Sequence, residues 1–493
     1  MDSTSISTRL EHFKSNIGEL SFQKLLLLLF IGSFLIHVII VTIFINQPIA
    51  LDDMFQYDML ARSLKDGNGF RWYSKADVEI LRPYYSQFLD IDHLPFPVKG
   101  LETAFRAPGY PFFLELLYSV VPESIRFVLA RLVQAGLVAA LAPLSAIMCH
   151  QIGFSRKVSV LSAIGISFYP ILLFYPIGLA SENLYILFGL ISVMAIHISI
   201  KKKSWGWIIL AGLFCGMAMF TRSIFAVFTI LSGMWLYRFS PLKKKAGPIF
   251  LLIAFGLCLP WSIRNSLIMK KPAFVENSVG YNMFIGYHPE GDGGFVSKIA
   301  ILPMNILDDG DRERFCMKQA VKFIRQNPIE SARRIFVRLV KFIGPEDREF
   351  FYFYSNNLVG AIPQPWLTLI YSLLVIPWGS TLTFGTIGLW QMKDRKVILL
   401  VILFLLGYGL PHLFIIAEPR FHLAWVPILM PFAAYGWESR SKIQWRPFLR
   451  RENLILIGLL LLILLIFISG FAMNFSRLIS ILSDGGNKLY FSY

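Results

Sequence analysis

Two adjacent carboxylates are the first residues whose type and spacing suggest chemistry. Asp52 and Asp53 follow the first long apolar run, Leu25 to Ile45, so they lie where that run would leave a membrane. A partly desolvated acidic pair can act as a general base or bind a cation. It can also begin a helix, because residues 54–65 have the apolar spacing of an amphipathic helix and Asp accepts N-terminal backbone N–H bonds. The two interpretations are compatible, since a cap also fixes the position of a carboxylate.

Two arginines lie at the same predicted face of the membrane. Arg106 precedes the apolar segment 108–122, and Arg264 lies at the end of an apolar run that leads into a long loop. A guanidinium at the interface can bind a phosphate through two parallel hydrogen bonds. For Arg106 the alternative is that its side chain extends to lipid headgroups as an anchor.

Three further charged residues occupy short turns between apolar runs. Glu182 lies in one turn, and Glu418 and Arg420 share another. Charged groups so close to hydrocarbon are usually partnered and functional. A purely structural Glu418–Arg420 ion pair is the alternative for the second turn.

The histidines and cysteines fit a packed interior better than a metal site. Three histidines are isolated within apolar runs: His37, His197 and His412. The four cysteines have neither zinc-site nor disulfide spacing: Cys149, Cys215, Cys258 and Cys316. Neither G-x-G-x-x-G nor G-x-x-x-x-G-K-[ST] occurs, so a nucleotide-driven mechanism has no support.

The composition defines the class of protein that must position these residues. Of 493 residues, 55% are apolar or aromatic and only 16% are charged, against roughly 25% charged in soluble proteins. A water-soluble enzyme and a disordered chain are therefore excluded. The net charge of +16 comes from basic clusters in short loops, such as 201–203 and 243–245. This is the positive-inside pattern of a membrane protein and not a nucleic-acid surface.

We predict an all-α polytopic membrane protein with about 11–13 transmembrane helices and two large outside loops. The first apolar run is too long for a cleaved signal peptide. The expected helices lie at about 24–46, 127–149, 158–177, 180–200, 205–221, 223–238, 247–264, 364–391, 397–416, 421–437 and 453–473.

The basic clusters also predict the topology. With these clusters inside, loops 47–107 and 265–363 lie outside, provided that the short segment 108–122 does not reverse the direction of the chain. The predicted parts are a cytoplasmic tail (1–23), a transmembrane catalytic module that includes outer loop 47–107 (24–264), a large outside loop with amphipathic helices (265–363), C-terminal transmembrane helices (364–473) and a tail (474–493). Within the second loop, residues 320–343 read as an amphipathic helix, which either lies on the membrane surface or packs on the bundle.

Taken in order, several motifs resemble those of the GT-C membrane glycosyltransferases, specifically the family 39-like enzymes similar to protein O-mannosyltransferases and the aminoarabinose-to-lipid-A transferase. LDDMFQYDMLARSLKDGNGF resembles the acidic pair, tyrosine and G-x-G-F stretch after the first helix of that family. FRAPGYPFFLELLY resembles its R-P-P-x-Y-P segment. Four further blocks follow in the same order: ASENLYILF, MFTRSIF, PWSIRNSLIMKKPAFVENSVGYNMFIGYHPEGDGGF and EPRFHLAWVPIL. The resemblance covers about residues 45–437.

The resemblance implies GT-C architecture, a polyprenyl-phosphate sugar donor and an active site on the outer face. Asp52 and Asp53 match the family's acidic pair, although Asp53 replaces a glutamate, so which of the two is the base stays open. Arg106 matches the basic residue of the R-P-P motif, although Ala107 replaces the first proline. The substrate-binding residues expected on this basis are Arg106, Tyr110, Glu182, Arg264, Tyr281, Asn282, Glu418 and Arg420.

The expected reaction is an inverting transfer to an acceptor hydroxyl on a lipid, protein or glycan. An aspartate removes the proton of the hydroxyl while arginines stabilise the departing lipid phosphate. No cofactor is required, and a divalent cation on the two aspartates is the less favoured alternative, because oxygen-ligand metal sites need more ligands. Other expected partners are membrane lipids, with no nucleic acid, and the expected location is a bacterial cytoplasmic membrane with the site facing the periplasm or exterior. A polysaccharide polymerase or ligase and a lipid-linked-sugar transporter are the competing interpretations.

Overall fold

The structure, a computed structural model, describes residues 20–86, 90–355, 362–443 and 451–482. Most of the predicted N-terminal tail and the last part of the predicted C-terminal tail lie outside these ranges. The described residues form helices joined by turns and loops, with one antiparallel ribbon, in which β1 (Arg71–Trp72) pairs with β2 (Leu101–Glu102).

The helices of the first half include one that has Asp52 as its N-cap and Asp53 as its first residue. They are α1 (Phe22–Ile43), α2 (Asp53–Lys65), α3 (Lys75–Tyr85), α4 (Gly109–Ser119), α5 (Arg126–Ala139), α6 (Leu141–Ile152), α7 (Arg156–Ser167), α8 (Pro170–Phe174), α9 (Glu182–Lys202), α10 (Trp205–Thr221), α11 (Ala226–Phe239) and α12 (Ala246–Met269).

The helices of the second half comprise those of the second outer loop and then the C-terminal bundle. They are α13 (Val279–Tyr287), α14 (Ser297–Ile301), α15 (Asp309–Gln326), α16 (Pro328–Ile343), α17 (Arg348–Ser355), α18 (Trp366–Gln391), α19 (Arg395–Phe414), α20 (Val426–Ser439) and α21 (Arg451–Leu482). Short 3-10 turns are interspersed: Ile91–His93, Glu123–Ile125, Tyr175–Ile177, Ser223–Phe225, Leu302–Asn305, Pro419–Trp425 and Arg440–Lys442.

The expected all-α polytopic membrane protein is confirmed. Within the described ranges, seven helices are long and apolar enough to cross a membrane, or eight if the bent pair 156–177 is one span. They are Phe22–Ile43, Glu123–Ile152, Glu182–Lys202, Ala246–Met269, Trp366–Gln391, Arg395–Phe414 and Asn453–Leu482. Two further apolar helices, Trp205–Thr221 and Ser223–Phe239, are shorter, so apolar composition alone overstates the number of full-length spans.

The helix predicted at 158–177 is broken in the structure. Its two halves are bent by 53°, because Pro170 lacks a backbone N–H and keeps Tyr169 extended. The break turns residues 174–177 towards the acidic pair. These residues therefore form part of the site because the helix predicted at 158–177 is not continuous.

Helix α4 covers most of segment 108–122. Its 11 residues give a length of about 16 Å, which is half of the hydrocarbon core of about 30 Å. It is therefore shorter than a full transmembrane span. The placement of the two long loops outside the membrane stays a prediction.

The two outer loops are bonded to each other directly. The Asp309 carboxylate accepts from the Thr103 hydroxyl at 2.6 Å and from the Ala104 N–H at 2.8 Å. Glu313 in the same helix accepts from the Gly280 N–H at 2.7 Å. The bonds of Asp309 fix the backbone just before Arg106, so the second loop positions a residue of the first. The bond of Glu313 lies within the second loop and holds α15 against the start of α13.

The predicted amphipathic segment 320–343 is divided at Pro328 into α15 and α16. Arg334 and Arg338 are buried and donate to backbone carbonyl groups, among them those of His288 at 2.6 Å and Leu413 at 3.1 Å. Of the two alternatives, the structure supports a helix packed on the bundle, since its polar face is bonded to protein.

Candidate functional site

The Asp53 carboxylate is the centre of the candidate site. It lies in the first turn of α2 and forms ion pairs with Arg106, which follows β2, and with Arg420, at 3.0 Å. Its side chain is 26% exposed. Both carboxylate oxygens are therefore occupied by guanidinium groups from distant parts of the chain.

Asp52 is the N-cap of α2, as the sequence suggested. One carboxylate oxygen accepts from the Met54 N–H at 3.0 Å. Burial and the neighbouring Asp53 charge raise the pKa of Asp52. At Asp53 burial acts in the same direction, but Arg106 and Arg420 outweigh it and hold the pKa of that carboxyl well below its usual range. Two adjacent carboxyls thus have pKa values shifted in opposite directions.

Gln56, one turn along α2, also holds the Arg106 side chain in place. Its Oε1 accepts from Arg106 Nε at 2.9 Å, while its Nε2 donates to the Tyr73 hydroxyl at 3.1 Å. The guanidinium also lies 5.4 Å from the centre of the Tyr57 ring. Arg106 is therefore fixed by a charge, an amide and an aromatic face.

A second ion pair lies beside the first. Arg222, just after α10, is 3.1 Å from the Glu182 carboxylate. The Tyr57 hydroxyl donates to Ser181 at 3.2 Å, and Ser181 donates to Glu182 at 3.3 Å. These bonds link the turn before α9 to α2.

The Glu418–Arg420 pair considered from the sequence does not form. Glu418 instead accepts from Arg348 at 2.8 Å and from the Phe295 N–H at 2.9 Å, whereas Arg420 bonds to Asp53. Proline between the two residues holds Glu418 extended at the start of the 3-10 turn, so their side chains reach different partners.

Two cavities meet at the acidic pair. The first has a volume of about 850 Å³ and the second about 450 Å³. Both are lined by Leu51, Asp52, Asp53, Tyr57, Tyr84 and Arg420. The carboxylates therefore face ligands that could approach from two directions.

The cavities differ in charge. Beyond the shared residues, the first is lined by three carboxylates and one guanidinium: Glu79, Glu182, Glu349 and Arg348. The second is lined by two of each: Glu276, Glu418, Arg106 and Arg222. Burial raises the pKa of Glu276, which weakens its negative charge. The second cavity is the more suitable one for an anion.

Most of the residues predicted from the sequence come together at these cavities. Those lining one or both are Asp52, Asp53, Arg106, Glu182, Tyr281, Asn282, Glu418 and Arg420. Tyr281 also donates to the Ala300 carbonyl at 2.8 Å.

Tyr110 and Arg264 are not brought to either cavity. Tyr110 is fully buried behind Tyr57, with ring centres 4.8 Å apart, and its hydroxyl donates to Gln134 at 2.5 Å. Arg264 donates to backbone carbonyl groups of the first outer loop, including that of Phe70 at 3.3 Å. That loop folds over the end of α12, so Arg264 binds protein where the sequence suggested a phosphate ligand.

Several residues of the site were not anticipated, among them Gln56, Arg222, Glu276 and Arg348. Arg222 had the same signal as Arg264, since each ends an apolar run at the predicted outer face. Gln56 lies one helical turn from Asp52 and could have been found from helical spacing. Glu276 lies in an irregular part of the second loop, and Arg348 begins the short helix α17. At neither position does an apolar periodicity indicate which way the side chain points.

The described residues contain no group of three or more His, Cys, Asp or Glu side chains placed to hold a metal ion. The four cysteines are free and buried, as expected.

No protein-family model and no curated protein matches the chain. Among solved structures it is similar to the archaeal oligosaccharyltransferase AglB from Archaeoglobus fulgidus in complex with an inhibitory peptide and a dolichol-phosphate, with a TM-score of 0.45, 13% identity and coverage of 92% of this chain and 55% of that one. It is similar to the oligosaccharyltransferase of the same organism in the apo form, with a TM-score of 0.45, 12% identity and coverage of 91% and 55%. The chain thus spans about half the length of these structures, and the function proposed below rests on the cavities.

Proposed function

We propose that this protein is a GT-C-type membrane glycosyltransferase that moves a sugar from a polyprenyl-phosphate donor to an acceptor hydroxyl. The observation that carries the proposal is the placement of Asp52. It lies where two cavities meet, beside a second carboxylate that two arginines hold ionised. A base, an adjacent anion-binding cluster and room for two substrates are what such a transfer needs.

The donor phosphate is assigned to the second cavity, near Arg106 and Arg222. Two guanidinium groups in a partly desolvated site stabilise the phosphate monoester that departs. Apolar Ile224 and Val227 line the same cavity, and the Val227 side chain is 39% exposed at the protein surface. An isoprenoid chain could therefore leave the cavity towards the lipid.

Asp52 is the proposed general base. A base works best when its pKa is close to the working pH, and the pKa of Asp52 is raised while that of Asp53 is lowered. The acceptor oxygen attacks the anomeric carbon, its proton passes to Asp52, and the bond between that carbon and the phosphate oxygen breaks. A single displacement inverts the anomeric configuration. Asp53 keeps Arg106 and Arg420 in place.

The reaction is assigned to the outer face of the membrane. Both loops that build the site, 47–107 and 265–363, are those that the positive-inside pattern exports. In a bacterium this is the periplasmic or exterior side of the cytoplasmic membrane. The acceptor would enter through the first cavity, as a hydroxyl on a lipid, protein or glycan.

The test is release of polyprenyl phosphate. The protein is purified in nanodiscs and incubated with a panel of polyprenyl-phosphate sugars, together with lipid, peptide and glycan acceptors. Wild type should release polyprenyl phosphate with at least one combination, and Asp52→Asn should reduce the rate by roughly 10²–10⁴-fold. Asp66→Asn, at the exposed end of the same helix, is the matched control and should remain active. Equal release by wild type and Asp52→Asn would refute the assignment of the base.

A further inference from the structure

A buried histidine–glutamate pair adjoins the candidate site. His422 Nε2 is 2.8 Å from Glu346 Oε1, and both side chains are almost completely buried. His422 Nδ1 is 2.5 Å from the Phe342 carbonyl oxygen, and the Tyr169 hydroxyl donates to Glu346 Oε2 at 2.7 Å. None of these four residues lines either cavity.

The hydrogen bonds of His422 require one proton between the two side chains. A carbonyl oxygen only accepts, so Nδ1 must carry a hydrogen. Nε2 and a carboxylate oxygen at 2.8 Å then form a hydrogen bond only if a further proton lies between them. The pair is either an imidazolium with a carboxylate or an imidazole with a carboxylic acid. In both forms the contact is lost when that proton leaves.

Packing fixes the ring of His422 in its plane. Trp378 stacks on it with ring centres 4.0 Å apart and an angle of 4° between the planes. The Trp378 indole N–H donates to the Ile343 carbonyl at 2.8 Å. The pair and its contacts therefore join four parts of the chain: the end of α16, the middle of α18, the 3-10 turn Pro419–Trp425 and Tyr169 at the start of α8.

Each member of the pair is two residues from an arginine of the site. Arg348 follows Glu346 and lines the first cavity, while Arg420 precedes His422 and lines both. The two segments meet again through the bond between Arg348 and Glu418. We propose that Glu346 and His422 are positioning residues that share a proton and thereby hold Arg348 and Arg420 at the reaction centre. The catalytic part of this inference rests on the proposed function.

Several other titratable groups face the pair. Tyr169 bonds to Glu346 directly, and Glu349 and Asp347 follow it on the same segment. His412 lies one ring away from the pair: it stacks on Phe342 at 5.5 Å and on Phe421 at 4.4 Å. Burial raises the pKa of Glu346, against the effect of His422, and burial raises the pKa of Asp347 to about 7. An experiment must therefore separate Glu346 from Asp347.

The consequence is an alkaline limit on activity. Below the pH at which the pair loses its proton, Arg348 and Arg420 are held. Above it, two acceptor atoms face each other at hydrogen-bonding distance, and the turn that carries Arg420 should loosen. Glu346→Gln removes this dependence, because a glutamine amide can donate to Nε2 without a shared proton.

The first experiment measures release of polyprenyl phosphate against pH. Glu346→Gln should keep kcat within about threefold of wild type at neutral pH and lose the alkaline decline. Glu346→Leu and His422→Phe should lower kcat by roughly 10- to 100-fold at neutral pH, since small misplacements of catalytic groups have effects of this size. Asp347→Asn is the matched control and should keep the alkaline decline. An unchanged decline in Glu346→Gln would overturn the proposal.

The second experiment needs no catalytic activity, so it distinguishes failure of this inference from failure of the proposed function. Phenylglyoxal modification of Arg348 and Arg420 is followed by peptide mass spectrometry, with Arg264 as the internal reference. The rates relative to Arg264 should rise several-fold in Glu346→Leu and His422→Phe, and in wild type above the pH of proton loss, but not in Glu346→Gln. If either disrupted variant fails to fold, the comparison of wild type with Glu346→Gln still tests the positioning role. Equal relative rates in these two proteins at every pH would overturn the positioning role.

Discussion

Arg420 donates to Asp53 across 3.0 Å, although 367 residues separate them in the chain. Arg106 binds the other oxygen of the same carboxylate. Because Arg420 follows α19 and Asp53 begins α2, the site is complete only when the C-terminal helices have packed against the first outer loop. Asp53 therefore links distant parts of the folded chain, a role that differs from the one proposed for Asp52.

Replacing each aspartate by asparagine should distinguish the two roles. Asn caps a helix as well as Asp does, so Asp52→Asn should lose activity by roughly 10²–10⁴-fold with little change in Tm. Asp53→Asn leaves two guanidinium groups without a counter-charge. Its free energy of unfolding should fall by roughly 1–3 kcal/mol, between the values for exposed and for fully buried pairs. Thermal unfolding in nanodiscs together with the release assay checks both. The reverse pattern, in which Asp52→Asn melts early and Asp53→Asn does not, would contradict this division.

The pH dependence of the reaction should identify Asp52 as the base. The pKa of Asp52 is raised, and a base must be deprotonated to act. Activity should therefore increase with pH through a pKa above the usual value of about 3.9 for Asp. Burial is the larger cause of the shift and the Asp53 charge the next. Removing that charge in Asp53→Asn should move the acid side of the profile to lower pH. The check is the residual rate of polyprenyl-phosphate release against pH, and an acid side that stays in place would exclude Asp52.

The sequence was sufficient for the class of fold and for most of the acidic and basic residues of the site. Apolar runs report spans directly, and charges beside them must lie at an interface. Neither signal indicates which way a side chain points or which partner it contacts. Arg222 and Arg264 both end apolar runs, but only the folded structure shows that Arg264 contacts backbone carbonyl groups and Arg222 contacts Glu182. Contacts that join distant segments, such as Glu346 with His422, have no local pattern at all.

Exchange of arginine for lysine should separate a phosphate ligand from a structural arginine. Lysine keeps the charge but loses the planar pair of donors. Arg106→Lys should raise the KM for the donor by about tenfold or more, since it also loses one of its contacts to Gln56. Arg264→Lys should lower Tm, because it loses bonds to the first outer loop, and should leave the donor KM within about twofold. Steady-state kinetics with varied donor concentration measures both. A similar rise in the donor KM for Arg264→Lys would instead indicate that Arg264 contributes to donor binding.

The packing of α18 against α20 offers a test of the scaffold that does not involve the site. A Cβ atom on Gly388 would lie 1.9 Å from the Phe432 carbonyl oxygen, and one on Gly436 would lie 2.0 Å from that of Phe384. The obstacle in each case is backbone, so the helices themselves would have to separate.

Gly388→Ala should therefore lower Tm, because overpacking costs about 1–3 kcal/mol or more and the gain in helix propensity recovers only about 1 kcal/mol. Gly385, one turn earlier on the same helix, is the matched control. Its added Cβ would meet Leu429 at an ordinary 3.7 Å, so Gly385→Ala should keep or slightly raise Tm. The measurement is thermal unfolding of both variants in the same nanodiscs. Equal Tm values for the two variants would mean that α18 and α20 do not lie close enough together at Gly388 to exclude a Cβ atom.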